Sequence, residues 1–461
     1  MVLFMGTVFF TSAQKTNVIM LMADDLGWGD VGFNGNDEII TPNLDKMAKA
    51  GIRFTNFYAA APLCSPTRAS CLTGRAPFRQ GIFAAHTAAM RHAETTIAEV
   101  LKKKGYATGF FGKWHLGWVE SEKAESRGSY SPPWQHGFDE TFASKSAVPT
   151  WNPTKTPIGW TGWGRKGAPN DSPDKPWDGS IYLENGKPVT DNLEGDDSRV
   201  IMDRAIPFIE KSINEDKPFL ATIWFHAPHE PVVAGPAYLA KYPDLPEGKK
   251  HYYGCITAMD EQIGRLKAFL KEKGIAENTI LLFCSDNGPA DPLARAGIAS
   301  SGPYRGHKHQ TWEGGLRVPS IIEWPGHIDA GQTTDYQACT SDYFPTILEM
   351  LDIPVPQKVP LDGISLVPML NGKSEQRELP YAAGYQRLYS NTELYAFIQG
   401  QYKICNPQVG MEMMLFDLEA DPTESHDLSK EKPELFSKMK AELEAVKKSW
   451  QLSREGKDYK W

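Results

Sequence analysis

Short apolar runs alternate along the chain with longer stretches in which apolar residues recur every three or four positions. The short runs predict strands buried on both faces, and they are 17–22, 107–111, 219–225 and 279–285. The longer stretches predict helices, and they are 42–50, 96–104, 199–214, 252–273 and 340–351. This alternation indicates an α/β fold with a mainly parallel sheet sandwiched by helices.

Single residues mark where several of these helices begin and end. Thr41 precedes the helix at 42–50, where its hydroxyl can cap the first turn, and Gly51 follows the last turn. Gly105 and Gly274 stand in the same place after two other helices. The end signals and the apolar period therefore agree on where these helices lie.

The pattern changes toward the C-terminus. Two apolar runs, 397–404 and 414–418, predict antiparallel strands, and 433–450 predicts an amphipathic closing helix. A chain of 461 residues also exceeds what one hydrophobic core usually holds. We therefore predict a large domain over residues 14–365 and a smaller sheet-and-helix subdomain over residues 366–461.

The segment 120–197 breaks the rhythm of strands and helices, because it is rich in proline, glycine and tryptophan. Its tryptophans are Trp134, Trp151, Trp160, Trp163 and Trp177. Two interpretations are equally good. These rings either form a stacking wall for sugar rings or pack the segment onto the core.

Composition narrows the class of protein. Apolar residues make up 41% of the chain and charged residues 23%, as in an ordinary globular enzyme. The net charge of -8 argues against non-specific binding to nucleic acid, but it permits a cationic pocket for an anionic substrate. Six cysteines in so long a chain do not form a disulfide framework.

The N-terminal segment 1–13 is mostly apolar and ends in small residues where a signal peptidase cleaves. This pattern predicts the remnant of a signal peptide and a periplasmic or secreted protein, although the segment is short and lacks a basic residue at its start. No later stretch approaches the ~20 apolar residues of a membrane span.

Residues with metal-binding chemistry follow two of the predicted strands. Asp24 and Asp25 come after the first strand, and Asp286 and Asn287 follow the strand at 279–285. Ligands of open α/β sheets bind at the carboxyl ends of the strands. An all-oxygen set suits a hard cation, so we predict a Ca²⁺ site, with Mg²⁺ as the alternative. Considered alone, Asp24 and Asp25 would be interpreted as a pair that caps a loop, and Asp286 and Asn287 as a turn.

Sequence motifs support a specific chemistry. Cys64-Ser65-Pro66-Thr67-Arg68, followed by Leu72-Thr73-Gly74-Arg75, matches the pattern at which a cysteine is oxidised to formylglycine. Other motifs follow in a fixed order, and they are Asp24 to Gly27, Gly112 to Gly117, His226 to Pro231, Ser285 to Gly288 and Gly306 to Pro319.

With these motifs, the chain resembles the formylglycine-dependent (type I) sulfatases of the alkaline phosphatase superfamily over residues 16–325 and, more weakly, beyond. The run His136-Gly137-Phe138-Asp139-Glu140 makes it similar to the branch of arylsulfatase A and N-acetylgalactosamine-6-sulfatase. The resemblance implies an alkaline-phosphatase-like sheet with a smaller C-terminal antiparallel sheet and helix.

The resemblance also implies roles for individual residues. A formylglycine-generating enzyme would act on the unfolded chain at Cys64, whose hydrated aldehyde would be the nucleophile and join the metal ligands. Arg68 would hold this hydrate. Lys113 would bind a sulfate oxygen, and His115 would act as the base that releases sulfate. Lys308 would neutralise a sulfate oxygen and help to protonate the leaving group.

Two histidines compete for the role of general acid toward the departing alcohol. His229 is favoured because the family histidine is followed by x-Pro within this run. His226 is also followed by x-Pro, and would otherwise line the pocket. Arg305, His307 and His309 belong to the next motif and are predicted to contact substrate.

These observations favour hydrolysis of sulfate esters on a sulfated carbohydrate. One alternative is a formylglycine-dependent phosphodiesterase or phosphonate hydrolase of the same superfamily, which shares the modified cysteine. Another is a non-catalytic glycan-binding relative with a decayed site, although every expected catalytic position is filled here. Neither nucleic acid nor a membrane span is expected.

Overall fold

The structure is a computed structural model that describes residues 15–85, 89–123, 129–157, 175–177, 179–356, 359–387 and 392–458. The predicted signal segment 1–13 lies outside these residues, as do Trp160 and Trp163 of the insert. Within the described residues, no helix combines the length and the apolar character needed to cross a bilayer.

A large sheet of ten strands, counted over the described residues, forms the centre of the molecule. Its strands and those of a two-stranded sheet (β3 with β12) are β1 (Asn17–Ala23), β2 (Ile52–Phe54), β3 (Phe57–Tyr58), β4 (Ala107–Lys113), β5 (Glu140–Ser144), β6 (Tyr182–Glu184), β7 (Lys187–Pro188), β8 (Phe219–Trp224), β9 (Thr279–Ser285), β10 (Ser320–Glu323), β11 (Gln332–Thr334) and β12 (Ala338–Cys339). The large sheet has the order β11-β2-β10-β9-β1-β8-β4-β5-β6-β7.

The central strands β9, β1, β8, β4 and β5 are mutually parallel, which confirms the predicted sheet. Antiparallel pairs occur toward the edges, where β10 pairs with β9 and β6 pairs with β5. Since the central strands run in one direction, their carboxyl ends all lie at the same edge of the sheet.

Helices cover both faces of this sheet. Up to residue 370, those of the described residues are α1 (Pro42–Ala50), α2 (Cys64–Thr73), α3 (Pro77–Gln80), α4 (Ile97–Lys103), α5 (Asp197–Asn214), α6 (Pro236–Leu239), α7 (Glu247–Glu272), α8 (Asp291–Arg295), α9 (Glu313–Leu316), α10 (Tyr343–Met350) and α11 (Val367–Leu370). α7 begins at Glu247 rather than at residue 252, because its first turn has no large apolar side chain to show the period. The helix predicted at 340–351 begins with a 3-10 turn, and α10 follows it.

The helix-end signals hold with one correction. The Thr96 hydroxyl accepts a hydrogen bond from the Glu99 N–H at 3.1 Å, and the Glu99 carboxylate accepts one from the Thr96 N–H at 2.9 Å. This capping box starts α4. Thr41 precedes α1, but its hydroxyl accepts from the Gly32 N–H at 2.9 Å and does not cap the helix.

Strand alternation builds a separate core on each face of the sheet. Ile19 and Leu21 of β1 pack on the side of α5 and α7. Val18 and Met20 point the other way, toward α2, α4 and α10. All four side chains are buried, and each contributes roughly 1.5–3 kcal/mol of apolar burial. The strand ends are therefore held from both sides.

The C-terminal part forms a four-stranded antiparallel sheet and one long helix. Its elements are β13 (Tyr381–Gln386), β14 (Glu393–Gln399), β15 (Tyr402–Cys405), β16 (Met414–Asp417) and α12 (Pro433–Arg454). We call this part the small domain. The prediction of one strand over 397–404 is wrong, because the chain turns at Gly400 and forms a hairpin of β14 and β15. Gly400 has a left-handed φ of 58° in this turn. β13 was not predicted, and the boundary near residue 366 stays a prediction.

The small domain packs on both faces of its sheet. Phe397 and Ile404 face α12, where they join the cluster of Met439 and Leu443. The opposite face packs against the large domain through a second cluster that includes Trp312. The small sheet is therefore packed on both faces, by α12 on one side and by the large domain on the other.

Two tryptophans of the insert favour the packing interpretation. A Cβ placed on Gly235 would lie 2.1 Å from the ring of Trp151, so ring and backbone are in close contact. Trp134 packs against one of the two main cores. All six cysteines fall in the described ranges as buried free thiols, in agreement with the absence of a disulfide framework.

We predict that Gly112→Ala destabilises the protein by about 2–4 kcal/mol, since a Cβ there would lie 1.9 Å from the Trp224 carbonyl oxygen at a φ of 111°. Gly274→Ala is the matched control, because Gly274 has a φ of 70° but a Cβ there would have no non-neighbouring atom of the described residues within 4 Å. It should cost only about 1 kcal/mol. Chemical denaturation measures both; equal losses would contradict the close approach.

Candidate active site

The predicted metal ligands meet at the carboxyl edge of the sheet. β1 and β9 are paired in register up to Ala23 and Ser285, so that Asp24 and Asp286 follow side by side. The Asp25 N–H donates to Asp286 Oδ1 at 3.1 Å, which ties the two strand ends together. All the residues of this set are buried. The parallel sheet thus brings two distant sequence motifs into one site.

Cys64 is the first residue of α2 and points into this site. Its Sγ lies 3.2 Å from His115 Nδ1. The preceding turn is fixed by Thr67, whose hydroxyl donates to the Ala61 carbonyl at 2.9 Å and accepts from the Ala61 N–H at 3.2 Å. No side chain of the described residues caps the helix at Leu63, which leaves its first N–H groups without such a partner.

Each carboxylate of the site is paired with a buried cation. Lys113 Nζ donates to Asp24 Oδ2 at 2.6 Å, and Lys308 Nζ donates to Asp25 Oδ1 at 2.6 Å. The Arg68 guanidinium donates two hydrogen bonds to Asp286, at 2.7 and 2.9 Å, and a third to the carbonyl of Lys113. The ion pairs formed in this way are Arg68 with Asp286, Lys113 with Asp24, and Lys308 with Asp25.

The surroundings shift the pKa values of these groups. Burial alone would raise the pKa of Asp25, but the charges of Lys308 and Lys113 outweigh it and hold that pKa well below its usual range. Burial and the neighbouring Asp24 raise the pKa of Asp286 to about 6. Burial also raises the pKa of the Cys64 thiol, so the encoded side chain is a neutral thiol at neutral pH.

Several oxygen atoms converge without a full set of hydrogen bonds. One ligand atom each of Asp24, Cys64 and Asp286 lie within 4.8 Å of one another. Asn287 Nδ2 donates to Asp25 Oδ1 at 2.7 Å. Among the described residues, Asp24 Oδ1 and Asn287 Oδ1 are buried without a hydrogen-bond partner, and the Arg68 guanidinium lies 3.6 Å from Asp24 Oδ1. Such a set of hard donors fits a divalent cation.

Two residues of the site have a left-handed backbone conformation. Asp25 has a φ of 64° and His115 a φ of 56°, a region that residues with a side chain rarely adopt. Each such residue costs about 1–3 kcal/mol, and they persist only where surrounding contacts hold them.

His229 and His226, the two candidates for the general acid, have different surroundings in the structure. The His229 Nδ1–H donates to the Glu230 carbonyl at 2.6 Å, and Nε2 faces Asp25 Oδ2 at 3.6 Å. Its side chain remains 20% exposed, so it borders the opening of the site. Burial and the charge of Lys113 hold the pKa of His229 well below its usual range, so this side chain is neutral here.

His226 is fully buried and turned away from the site. Its Nδ1 contacts Asp197 Oδ2 at 2.8 Å, and its Nε2 contacts the Ser144 hydroxyl at 2.7 Å. Tyr182 also donates to Asp197 at 2.6 Å. These are the residue types of a hydrolytic triad, but all three have 0% exposure, so no substrate reaches Ser144. The predicted pocket-lining role of His226 does not fit this position.

Arg305 and His307 lie beside the site rather than at the cysteine. The Arg305 guanidinium stacks 4.0 Å from the ring centroid of Trp312. The His307 Nδ1–H donates to the Lys308 carbonyl at 2.9 Å, and its Nε2 lies 3.2 Å from Asp291. Both side chains thus brace the loop that carries the lysine.

The remaining neighbours of Cys64 include two residues from other parts of the chain. The exposed His309 ring contacts Tyr385 of β13, with centroids 5.6 Å apart. Tyr385 packs in the same buried cluster as Leu63 and Cys64. Sequence reasoning missed Tyr385, because no motif surrounds it and its strand was not predicted.

The fold and the site define a hydrolase for anionic esters, in which cations and acidic residues surround one cysteine at the strand ends. The family model described as Sulfatase matches residues 16–353. The chain therefore belongs to the sulfatase family, in the type I class of the alkaline phosphatase superfamily, and is a sulfuric ester hydrolase. A model described as N-sulphoglucosamine sulphohydrolase, C-terminal, matches residues 306–449.

Curated relatives and solved structures agree with this assignment. N-acetylgalactosamine-6-sulfatase of Mus musculus is 34% identical over 417 residues, which cover 87% of this chain and 73% of that protein. Arylsulfatase G of Rattus norvegicus is 34% identical over 472 residues, covering 92% and 84%. A crystal structure of Ps i-CgsB in complex with k-i-k-neocarrahexaose has a TM-score of 0.81 at 28% identity and covers 95% of this chain and 93% of that one.

We predict that His229→Gln lowers kcat/KM for sulfate esters with poor leaving groups about 100-fold or more, because it removes the side chain predicted to protonate the leaving alcohol. His226→Gln is the matched control. It should lower the free energy of unfolding by about 1–3 kcal/mol through lost buried hydrogen bonds, while each folded molecule keeps most of its activity. Steady-state kinetics and denaturation measure the two effects; the opposite pattern would assign the acid to His226.

Proposed function

We propose that this enzyme hydrolyses sulfate esters of a carbohydrate with a formylglycine at position 64 and a Ca²⁺ ion at the neighbouring oxygen atoms. The observation that supports this most directly is the position of Cys64. It lies at an uncapped helix start, beside His115 and next to buried carboxylates that Lys113 and Lys308 balance.

The metal would be held by Asp24, Asp25, Asp286 and Asn287, with residue 64 as a further ligand. The unpartnered buried oxygens of Asp24 and Asn287 support this set. Oxygen donors favour Ca²⁺, with Mg²⁺ as the alternative. The ion would supply positive charge that stabilises the bound sulfate and lowers the pKa of a hydroxyl at position 64.

Formylglycine would supply a hydrated aldehyde, whose two hydroxyls provide a nucleophile and a later route of release. His115 would take the proton of the group at position 64, and the distance of 3.2 Å from its Nδ1 to the Cys64 Sγ supports this role. Arg68 is held between Asp286 and the Lys113 carbonyl, where it can orient residue 64. The start of α2 favours an anion there.

Lys113 and Lys308 would bind the sulfate oxygens, because Lys113 reaches the site from the end of β4 and Lys308 reaches it from the loop before α9. His229 would protonate the leaving alcohol at Nε2, since its Nδ1 already donates to a carbonyl. The anionic substrate would offset the two lysine charges that depress the pKa of His229, and so prepare it as an acid. Lys308 Nζ is the alternative donor.

A carbohydrate substrate is supported by the relatives. One is named N-acetylgalactosamine-6-sulfatase, and a similar solved structure holds an oligosaccharide called k-i-k-neocarrahexaose. We infer further that a formylglycine-generating enzyme modifies the unfolded chain, and that the N-terminal segment 1–13 directs export to the periplasm or the exterior.

We predict that Cys64→Ala lowers sulfate release at least about 1,000-fold, because it removes the nucleophile. Cys71→Ala, a buried cysteine on the same helix, should retain activity. Mass spectrometry of the peptide that contains residue 64 should detect the aldehyde in the wild type. An unmodified thiol in fully active protein would refute the proposal, as would a preference for the phosphate ester of the same alcohol.

We also predict that Ca²⁺ stabilises chelator-treated protein, by about 2.7 kcal/mol when its concentration is 100 times Kd. Asp286→Asn should abolish this stabilisation, since it removes one anionic ligand. Asp30→Asn is the control, because Asp30 is a buried carboxylate that instead accepts hydrogen bonds from Tyr252 and Ser300. Thermal unfolding with and without Ca²⁺ measures both. Equal Ca²⁺ shifts in the two variants would place the ion elsewhere.

A further inference from the structure

The loop that presents Lys308 rests on the small domain. The Thr311 N–H donates to the Pro407 carbonyl at 3.0 Å. The next side chain, Trp312, packs its ring on Phe416 of β16 with centroids 5.6 Å apart. The position of the loop therefore depends on a part of the chain that provides none of the proposed catalytic groups.

Buried charges reinforce this contact. Lys403 of β15 lies 2.9 Å from Glu313 Oε1 and 2.8 Å from Glu424 Oε1, and these side chains have 0% exposure. The Glu424 carboxylate accepts a hydrogen bond from the Glu313 N–H at 2.6 Å. Arg317 pairs with the other Glu313 oxygen at 2.9 Å, so that two cations balance two carboxylates. We call Lys403, Glu424 and Glu313 the interdomain clamp.

The clamp holds the surface on which the lysine loop lies. Glu313 is the first residue of α9. A Cβ placed on Gly315 would lie 2.0 Å from the Gln310 carbonyl oxygen and 2.6 Å from that of His307. Loop and helix backbone are thus in direct contact, with no room for a side chain between them. A shift of α9 would therefore move the loop and Lys308 with it.

The other side of the loop contacts the reactive centre. The Lys308 N–H donates to the Pro289 carbonyl at 3.0 Å, just beyond the ligands that follow β9. The His309 N–H donates to the Pro62 carbonyl at 2.9 Å, two residues before Cys64. The loop is therefore a short, hydrogen-bonded bridge between the interdomain clamp and the proposed nucleophile.

We propose that Lys403 and Glu424 are positioning residues, which hold α9 so that the Lys308 ammonium meets the leaving-group oxygen. The small domain is then part of the catalytic apparatus, although it supplies no reacting group. This inference rests on the proposed function, and it requires that Lys308, named there as the alternative donor, acts at the leaving-group oxygen.

The test uses the full-length protein and the variants Lys403→Met and Glu424→Gln. The control is Ile404→Val, because Ile404 is adjacent on β15 but packs on the opposite face, against α12. Steady-state kcat/KM is measured for aryl sulfates whose leaving groups span a range of pKa, and is corrected for folded fraction and formylglycine content.

We expect the two clamp variants to slow substrates with poor leaving groups by about 10-fold to 100-fold and to leave good leaving groups nearly unaffected. The plot of log kcat/KM against leaving-group pKa becomes steeper, as in Lys308→Ala. The double variant Lys308→Ala, Lys403→Met should give a plot no steeper than that of Lys308→Ala alone. Ile404→Val should leave the slope unchanged.

A uniform loss across all substrates would overturn the inference, because it would assign the clamp to stability alone. Glu424→Gln keeps the shape and an acceptor for the Glu313 N–H, so it decides the question if Lys403→Met does not fold. Failure of the proposed function has a different signature: the wild type would release no sulfate from any ester, which overturns both proposals.

Discussion

Buried negative charge at one edge of the sheet is the constraint around which this molecule is arranged. Asp24, Asp25 and Asp286 lie together at the ends of β1 and β9, where all three are buried from solvent. Unbalanced, such charges would destabilise the fold by several kcal/mol. The cations that balance them are Arg68, Lys113 and Lys308. The same groups then form a site suited to an anionic ester.

The fold holds this arrangement because each charged residue is anchored in rigid structure. The carboxylates and Lys113 follow central strands that are packed on both faces. Positive φ angles at Asp25 and His115 add strain, which the surrounding packing must offset. A site built on packed strand ends is preorganised, and this favours electrostatic stabilisation of a transition state.

The two histidines of one short motif illustrate how packing divides similar residues. His226 is enclosed with Asp197 and Ser144 and supports the end of β8. His229, three positions later, keeps an exposed edge and contacts Asp25. The sheet of the small domain also has two faces with different contacts. One face packs against α12, and Lys403 on the other face pairs with Glu313 of the large domain.

The sequence by itself determined the alternation of strands and helices, the residues at the ends of β1 and β9, and the resemblance that marks Cys64. These features are local, because apolar period and motif spacing depend on neighbouring positions. Only the tertiary structure decided the hairpin at Gly400, the packing of Tyr385 in the cluster that contains Cys64, and the burial of His226. Each depends on contacts between residues far apart in the chain, and such packing leaves no periodic signal in the sequence.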